Sequence, residues 1–345
     1  MVFIMKVSAV RPWKQMAKNK RVLIAGGAGF LGSYLCDYYV GQGWIVDCLD
    51  NLSTSSGQNI EHLTTRAGFN FTKHDIVKRL PSKITVAKYS LVINLAAPAS
   101  PPHYQRLAIE TLQAGSLGTL NLLELAQKSR AKFFHSSTSE VYGDPEIHPQ
   151  PESYWGNVHS YGPRSMYDES KRYAEALIYS YRKKHNLSTA IARFFNTYGP
   201  RMDASDGRVV SNFIVQALQG EPLTIYGHGS QTRSFCYVDD LVCGIIAFIE
   251  SSEEGPMNLG NPGEFSIKEL ADKVIKKTGS KSKIAHLPLP GDDPSQRKPD
   301  IALAKEKLDW GPKISLDEGL DNTIAYFRKV INLSGKRHIE TPKPS

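Results

Sequence analysis

Tyr167 and Lys171 stand four residues apart in Tyr-Asp-Glu-Ser-Lys, a spacing that puts a phenol and an ammonium on one face of a helix. An ammonium beside a phenol favours the phenolate, so the pair predicts a base able to take a proton from an alcohol. The same spacing recurs at Tyr179 and Lys183. Twelve residues separate the two tyrosines, about 120° around a helix, so only one can face a given site. Tyr167 is the stronger candidate because it follows a run in which Phe133-Phe134 gives way to Ser136-Ser-Thr-Ser-Glu140-Val-Tyr-Gly143, whereas Tyr179 is expected to pack. The plain alternative for that polar run is Ser and Thr bonding their local backbone at a strand end.

An alcohol that loses a proton to such a base can lose hydride to an acceptor, and the start of the chain has a place for one. Gly26-Gly-Ala-Gly29-Phe-Leu-Gly32 follows the apolar run Val22–Ala25 and opens a helical stretch. Glycines there permit a tight turn and let backbone N–H groups meet a pyrophosphate at a helix N-terminus. The second apolar run ends in Asp50, whose carboxylate suits the hydroxyls of an adenosine ribose and repels a 2′-phosphate. The expected cofactor is therefore NAD rather than NADP, and the positive ring of its oxidised nicotinamide, together with Lys171, is expected to bring the Tyr167 pKa toward working pH. Asp75 in His74-Asp-Ile76, and Leu95-Ala-Ala97, each follow a further strand and are positioned to line the same groove. A glycine-rich turn in an α/β fold that binds no nucleotide is the alternative.

The elements that must hold these residues alternate. Val22–Ala25, Ile45–Leu49, Phe69–Thr72, Leu91–Leu95, Phe133–Ser136 and Ala190–Phe194 read as buried strands, with helices near 107–129 and 164–185. The alternation predicts an α/β fold, a Rossmann-type doubly wound parallel sheet with a smaller C-terminal substrate-binding lobe. Residues 1–20 read as an N-terminal extension and 21–200 as mainly the NAD-binding Rossmann domain. Residues 201–330 read as mainly the substrate-binding lobe with returning segments, and 331–345 as a tail. Further helices are expected near 209–218, 267–278 and 316–330, with Pro-rich loops at 288–294.

The formal charge of +8 resides in the two ends, leaving the body near neutrality, so no basic stripe for nucleic acid is expected. The four cysteines are widely spread, without metal-ligand spacing, and read as buried reduced thiols; no metal is expected. No apolar run reaches the roughly 18 residues of a membrane span, and the reading is a cytoplasmic enzyme.

With these residues in place, the chain over about 21–330 resembles the extended short-chain dehydrogenase/reductase family, and within it the branch that decarboxylates UDP-glucuronate. The likeness rests on Ala99-Ser-Pro-Pro-His103, Ser137 to Pro145, Tyr161-Gly-Pro-Arg164, Tyr167 to Lys171, Asp206 to Phe213, Gly229 to Arg233, Asn258 to Pro262 and Arg297-Lys-Pro-Asp-Ile301. The resemblance implies a redox-neutral cycle. Tyr167 and NAD oxidise C4, the C5 carboxyl leaves as carbon dioxide, and the hydride returns to give UDP-xylose. It implies catalytic roles for Tyr167, Lys171, Thr138, Ser139 and Glu140, with Thr138 on the C4 oxygen. The cofactor would meet Gly26, Gly29, Phe30, Leu31, Gly32, Asp50, Asn51, Asp75, Ile76, Leu95, Ala97, Tyr167, Lys171 and Thr197. The nucleotide sugar would meet Asn196, Arg208, Ser211, Asn212, Tyr226, Arg233 and Arg297. A homodimer formed by the 107–129 and 164–185 helices is also implied.

The chain departs from the family pattern at Ala25, where Thr is usual, and at Ser53-Thr-Ser-Ser-Gly57, where an aromatic-rich stretch is usual. It departs again at Gln113 and Gly115, where Lys and Asn are expected. A nucleotide-sugar 4,6-dehydratase or 4-epimerase uses the same oxidation. Ser139 before Glu140 speaks against the Asp-Glu pair of the dTDP-glucose dehydratases. A non-catalytic dinucleotide-binding protein would be expected to lack Tyr167 or Lys171.

Overall fold

A computed structural model describes residues 20–288, 296–333 and 341. The 1–19 part of the extension, most of the Pro-rich 288–294 loop and nearly all of the tail lie outside the described residues.

Six strands, β1 (Arg21–Ala25), β2 (Ile45–Asp50), β3 (Phe69–Lys73), β4 (Leu91–Asn94), β5 (Lys132–Thr138) and β6 (Thr189–Phe194), are joined by a seventh, β7 (Met257–Leu259). They form one parallel sheet in the order β7-β6-β5-β4-β1-β2-β3, the doubly wound arrangement that the alternation predicts. Val22, Leu23, Ile24 and Ala25 are all fully buried because the central strand is covered on both faces. Val22 and Ile24 join the larger core on one face, while Leu23 and Ala25 join the smaller core on the other. The edge strand β3 is only partly covered, with Phe69 and Thr72 buried and Asn70 and Lys73 exposed. β7 comes from the second half of the chain, so that half returns to complete the first sheet.

Three helices position the chemistry. α1 (Phe30–Gly41) follows the glycine turn, α2 (Thr119–Ser129) precedes β5, and α3 (Ser165–His185) carries Tyr167 and Lys171. The expected 107–129 helix is instead Ala108–Gln113, a wider π-type turn at Ala114–Gly118, and then α2. The three further expected helices run Val209–Gln219, Ile267–Thr278 and Leu316–Leu333, and Val238–Glu250 adds one that was not expected. Smaller ladders build the second lobe: Leu223–Tyr226 pairs with Ile284–Leu287, and Thr232–Ser234 takes Glu264–Ser266 on one side and Gln296–Arg297 on the other. The four cysteines are free, three of them buried. Among the described residues no helix is long and apolar enough to cross a membrane.

Candidate active site

The turn after β1 is glycine because nothing larger fits. Gly26 has φ +77°, and a Cβ there would come within 2.8 Å of the Leu95 and Ala96 backbone. A Cβ on Gly32 would collide with the Gly26 carbonyl oxygen, so α1 packs directly on the turn. Gly29 is different: the nearest atom to a Cβ would be the Gly26 oxygen at 3.3 Å, and its backbone is open to the cavity. Asp50 braces the turn, its carboxylate accepting from the Ala28 N–H at 3.0 Å and the Leu52 N–H at 2.8 Å. Burial raises its pKa, and these backbone donors oppose the rise.

A cavity of about 770 Å³ runs from this turn to the second lobe. Every residue expected at the cofactor lines it: Gly26, Gly29, Phe30, Leu31, Gly32, Asp50, Asn51, Asp75, Ile76, Leu95, Ala97, Tyr167, Lys171 and Thr197. Asn51 and Asp75 meet through an Asn51 Nδ2 hydrogen bond of 3.2 Å.

At its other end β5 stops at Thr138, and a single tight turn, Ser139–Tyr142, carries Glu140 into the same cavity. Thr138 Oγ accepts from the Glu140 N–H at 3.3 Å and hydrogen-bonds the Tyr167 phenol. Lys171 Nζ donates to the Ser136 carbonyl at 2.7 Å and lies 5.8 Å from the centre of the Tyr167 ring. Burial, with the charge of Glu140, pushes the Tyr167 phenol up to about 12, against the hydrogen bond with Thr138. The protein by itself therefore keeps Tyr167 neutral. Burial also brings Lys171 down to about 8, with Glu175 opposing that shift.

Glu140 is clasped by two guanidinium groups. Arg164 Nη2 donates to its Oε2 at 2.8 Å, and Arg297 donates to both oxygens, through Nη2 at 3.0 Å and through Nη1. Burial alone would raise the Glu140 pKa, but the two arginines hold it down at about 2. Asp168 is buried, with one carboxylate oxygen that has no hydrogen-bond partner among the described residues. Burial and the neighbouring Glu140 charge push it up to about 8. Near neutrality the cluster is one carboxylate between two cations, with a positive excess facing the cavity.

Arg297 reaches this point because its short strand pairs in register with Arg233, which also lines the cavity. Asn196, Arg208, Asn212 and Tyr226 line the same lobe. Arg208 is fixed by two bonds to Asp206, of 2.6 and 2.9 Å, and the buried Asn212 side-chain oxygen has no hydrogen-bond partner among the described residues. Ser211 is not part of the wall. It is fully buried, and its hydroxyl donates to the Arg208 carbonyl at 2.8 Å, one helical turn back. Tyr179 is also placed otherwise than expected, being 58% exposed with Lys183 Nζ 5.7 Å from its ring centre.

The departures at 113 and 115 have physical explanations. Gln113 is exposed and outside the cavity wall, which takes Leu107, Glu110 and Ala114 from this segment. Gly115 lies in the π-type turn, where a Cβ would sit 2.6 Å from both Cβ and the carbonyl oxygen of Ser170. The space a side chain would need at 115 belongs to Ser170, which directly precedes Lys171 on α3.

Two residues in the cavity wall were missed as site residues. Arg164 lies one helical turn before Tyr167, a spacing that signals proximity only once α3 is known to start there. Tyr104, in the short helix Pro101–Arg106, stacks on the Tyr167 ring with centres 5.0 Å apart and planes 11° apart. No spacing rule joins residues so far apart in the chain.

Known proteins share this arrangement. The family model of GDP-mannose 4,6 dehydratase matches residues 23–323. The chain belongs to the extended short-chain dehydrogenase/reductase family. UDP-glucuronic acid decarboxylase 1 of Xenopus tropicalis is 48% identical over 328 residues, covering 95% of this chain and 77% of that protein. UDP-glucuronic acid decarboxylase 3 of Arabidopsis thaliana is 47% identical over 327 residues, covering 94% of each. Among solved structures, UDP-glucuronic acid 4-epimerase of Bacillus cereus, in complex with UDP-glucuronic acid and NAD, matches with a TM-score of 0.82 at 29% identity. That match covers 90% of this chain and 99% of the epimerase.

Proposed function

We propose that this chain decarboxylates UDP-glucuronate to UDP-xylose, with NAD held at the glycine turn and restored at the end of each cycle. The observation that carries the reading is the convergence of Thr138, Tyr167, Glu140 and Arg297 on one end of the cavity, where positive charge exceeds negative. A sugar bearing a carboxylate suits that excess, and the decarboxylase relatives support the choice.

The residues present fit the dinucleotide: the Gly29 backbone is open to the cavity and the Asp50 carboxylate stands at the end of β2. Bound NAD supplies a hydride acceptor and the positive ring that helps ionise a nearby phenol. Tyr167 takes the C4 hydroxyl proton, and Thr138 holds the C4 oxygen. Once C4 is a ketone, the C5 carboxyl is β to it and leaves as carbon dioxide. The bonding electrons flow toward the C4 oxygen, where Tyr167 and Thr138 stabilise the developing charge. A proton then adds at C5, and return of hydride and of the Tyr167 proton completes UDP-xylose. The balance is UDP-glucuronate and one proton in, UDP-xylose and carbon dioxide out. Ser139 and Glu140 face the reacting sugar or a water on it, while Arg208, Asn212, Asn196, Tyr226 and Arg233 surround the UDP.

The same reading makes the protein a cytoplasmic homodimer. Ile109, Leu112 and Leu117, and on α3 Tyr173 and Tyr179, are large exposed side chains on segments that pack together, an arrangement suited to pairing with a second copy. A light-scattering mass near 38.3 kDa would overturn the dimer.

The deciding experiment incubates the protein separately with UDP-glucuronate, UDP-glucose, dTDP-glucose and GDP-mannose, with mass detection of products. Carbon dioxide and UDP-xylose from the first alone are expected. Water loss from a neutral sugar nucleotide, or an epimer of UDP-glucuronate at unchanged mass, would sink the proposal.

A further inference from the structure

Glu140 sits on the turn after β5 and is paired on both oxygens, and its two partners arrive from different lobes. Arg297 comes from a two-residue strand of the second lobe, and Arg164 from the N-terminal end of α3. Both guanidinium groups line the cavity. An anionic sugar entering there competes with Glu140 for Arg297, since a carboxylate is the same kind of ligand for a guanidinium as Glu140 itself. Arg164 caps the start of α3, three residues before Tyr167, so its backbone is fixed relative to the phenol whichever way Arg297 turns.

We infer that Arg164 is a positioning residue that keeps Glu140 ionised and aimed into the cavity while Arg297 is given over to the substrate. The inference rests on the decarboxylase reading for the identity of the anion, but the Arg164–Glu140 pairing itself does not. The groups facing Glu140 are Arg164, Tyr167 and Asp168 from α3, Tyr104 from the Pro101–Arg106 helix, and Arg297. The two phenols are held neutral, and Asp168 is neutral below about pH 8. When Arg297 turns to the substrate, Arg164 is therefore the one cation left among these groups to oppose protonation of Glu140. Losing it leaves a buried carboxylate with only burial acting on it, which raises its pKa.

The test compares Arg164→Gln with Arg164→Lys. In the Gln variant the acid limb of the kcat pH profile moves up by at least one pH unit, kcat at pH 7 falls about ten- to a hundredfold, and KM changes less. The Lys variant, which keeps the charge but not the planar fork, brings the limb most of the way back. In a Glu140→Gln background the Arg164→Gln change adds less than threefold. An unmoved pH limb, Lys no better than Gln, or full additivity with Glu140→Gln would each overturn the inference.

A second measurement stands apart from turnover. Carboxyl-¹³C glutamate labelling, with Glu140→Gln assigning the resonance, follows the Glu140 titration in the protein without substrate. Its midpoint rises in Arg164→Gln, and an unchanged midpoint overturns the pairing. If the wild-type protein releases no carbon dioxide from UDP-glucuronate, the decarboxylase reading falls while this midpoint still decides the role of Arg164.

Discussion

The two ends of the cavity are built in opposite ways. At the dinucleotide end one continuous segment, β1, the glycine turn and α1, supplies the backbone groups, and Asp50 braces it through backbone donors. At the catalytic end, side chains arrive from the Pro101–Arg106 helix, the end of β5, the start of α3 and the Gln296–Arg297 strand. The difference teaches where each end is vulnerable. A site made of backbone depends on local sequence, whereas a site made of converging side chains depends on the spacing between elements.

The largest effect expected from this contrast is at Tyr167. Tyr167→Phe removes the hydroxyl that we propose takes the proton of the C4 hydroxyl, while leaving the stacked ring beside Tyr104. Turnover should fall by at least about a thousandfold, with NAD affinity by fluorescence titration within about threefold of wild type. Full activity in this variant would show that the base has been misassigned and that the two ends are not separable.

Next comes spacing itself. Gly115→Asn inserts a side chain where Ser170 already stands, 2.6 Å from the new Cβ. The expected result is displacement of α3 and a fall in kcat of about ten- to a hundredfold, with KM nearly unchanged, because small misplacement of reacting groups is costly. Combining it with Ser170→Gly opens the Cβ side of the clash and should recover part of the loss. If Gly115→Asn turns over like the wild type, the close approach of the two segments has no bearing on the chemistry.

Smaller still is the effect at the dinucleotide end. Asp50→Asn keeps one acceptor for the turn but removes the charge that repels a 2′-phosphate. NAD affinity should weaken about tenfold, roughly 1.4 kcal/mol, and the preference for NAD over NADP should shrink further. Equal loss for both dinucleotides would mean that Asp50 serves only to brace the turn.

The contrast also explains what could be read from the chain alone. Six of the seven strands of the sheet were legible because buried parallel strands are near-continuous apolar runs, and the glycine turn because Gly26 and Gly32 answer local steric demands, whereas the three-residue β7 was too short to read. The π-type turn at Ala114–Gly118 was not legible, since it depends on packing against Ser170, some fifty residues away. Arg164 and Tyr104 escaped notice for the same reason: their importance is a matter of what stands across the cavity. Ser211 was drawn into the substrate list by its phrase, yet a helix turns that side chain back onto its own backbone.

Asp168 offers the finest test, because it asks whether the catalytic end lowers stability in a way that the dinucleotide end does not. Its carboxyl is buried, one oxygen has no hydrogen-bond partner among the described residues, and its pKa is raised to about 8 from an unfolded value near 3.9. Below about pH 4 both states are protonated and nothing is lost. Between pH 4 and 8 the unfolded chain releases this proton while the folded protein retains it, so stability falls as pH rises; above 8 the folded group ionises too and the loss levels off. An asparagine amide in its place does not titrate. Asp168→Asn should therefore unfold in urea like the wild type at pH 4 and gain on it through this window, by on the order of 1–3 kcal/mol at pH 8.5. Because Asp168 is neutral in the wild type at pH 7, kcat there should change by less than about threefold. A stability difference that is the same at both pH values would show that Asp168 is ionised in the folded protein, and that the positive excess around Glu140 is smaller than the geometry implies.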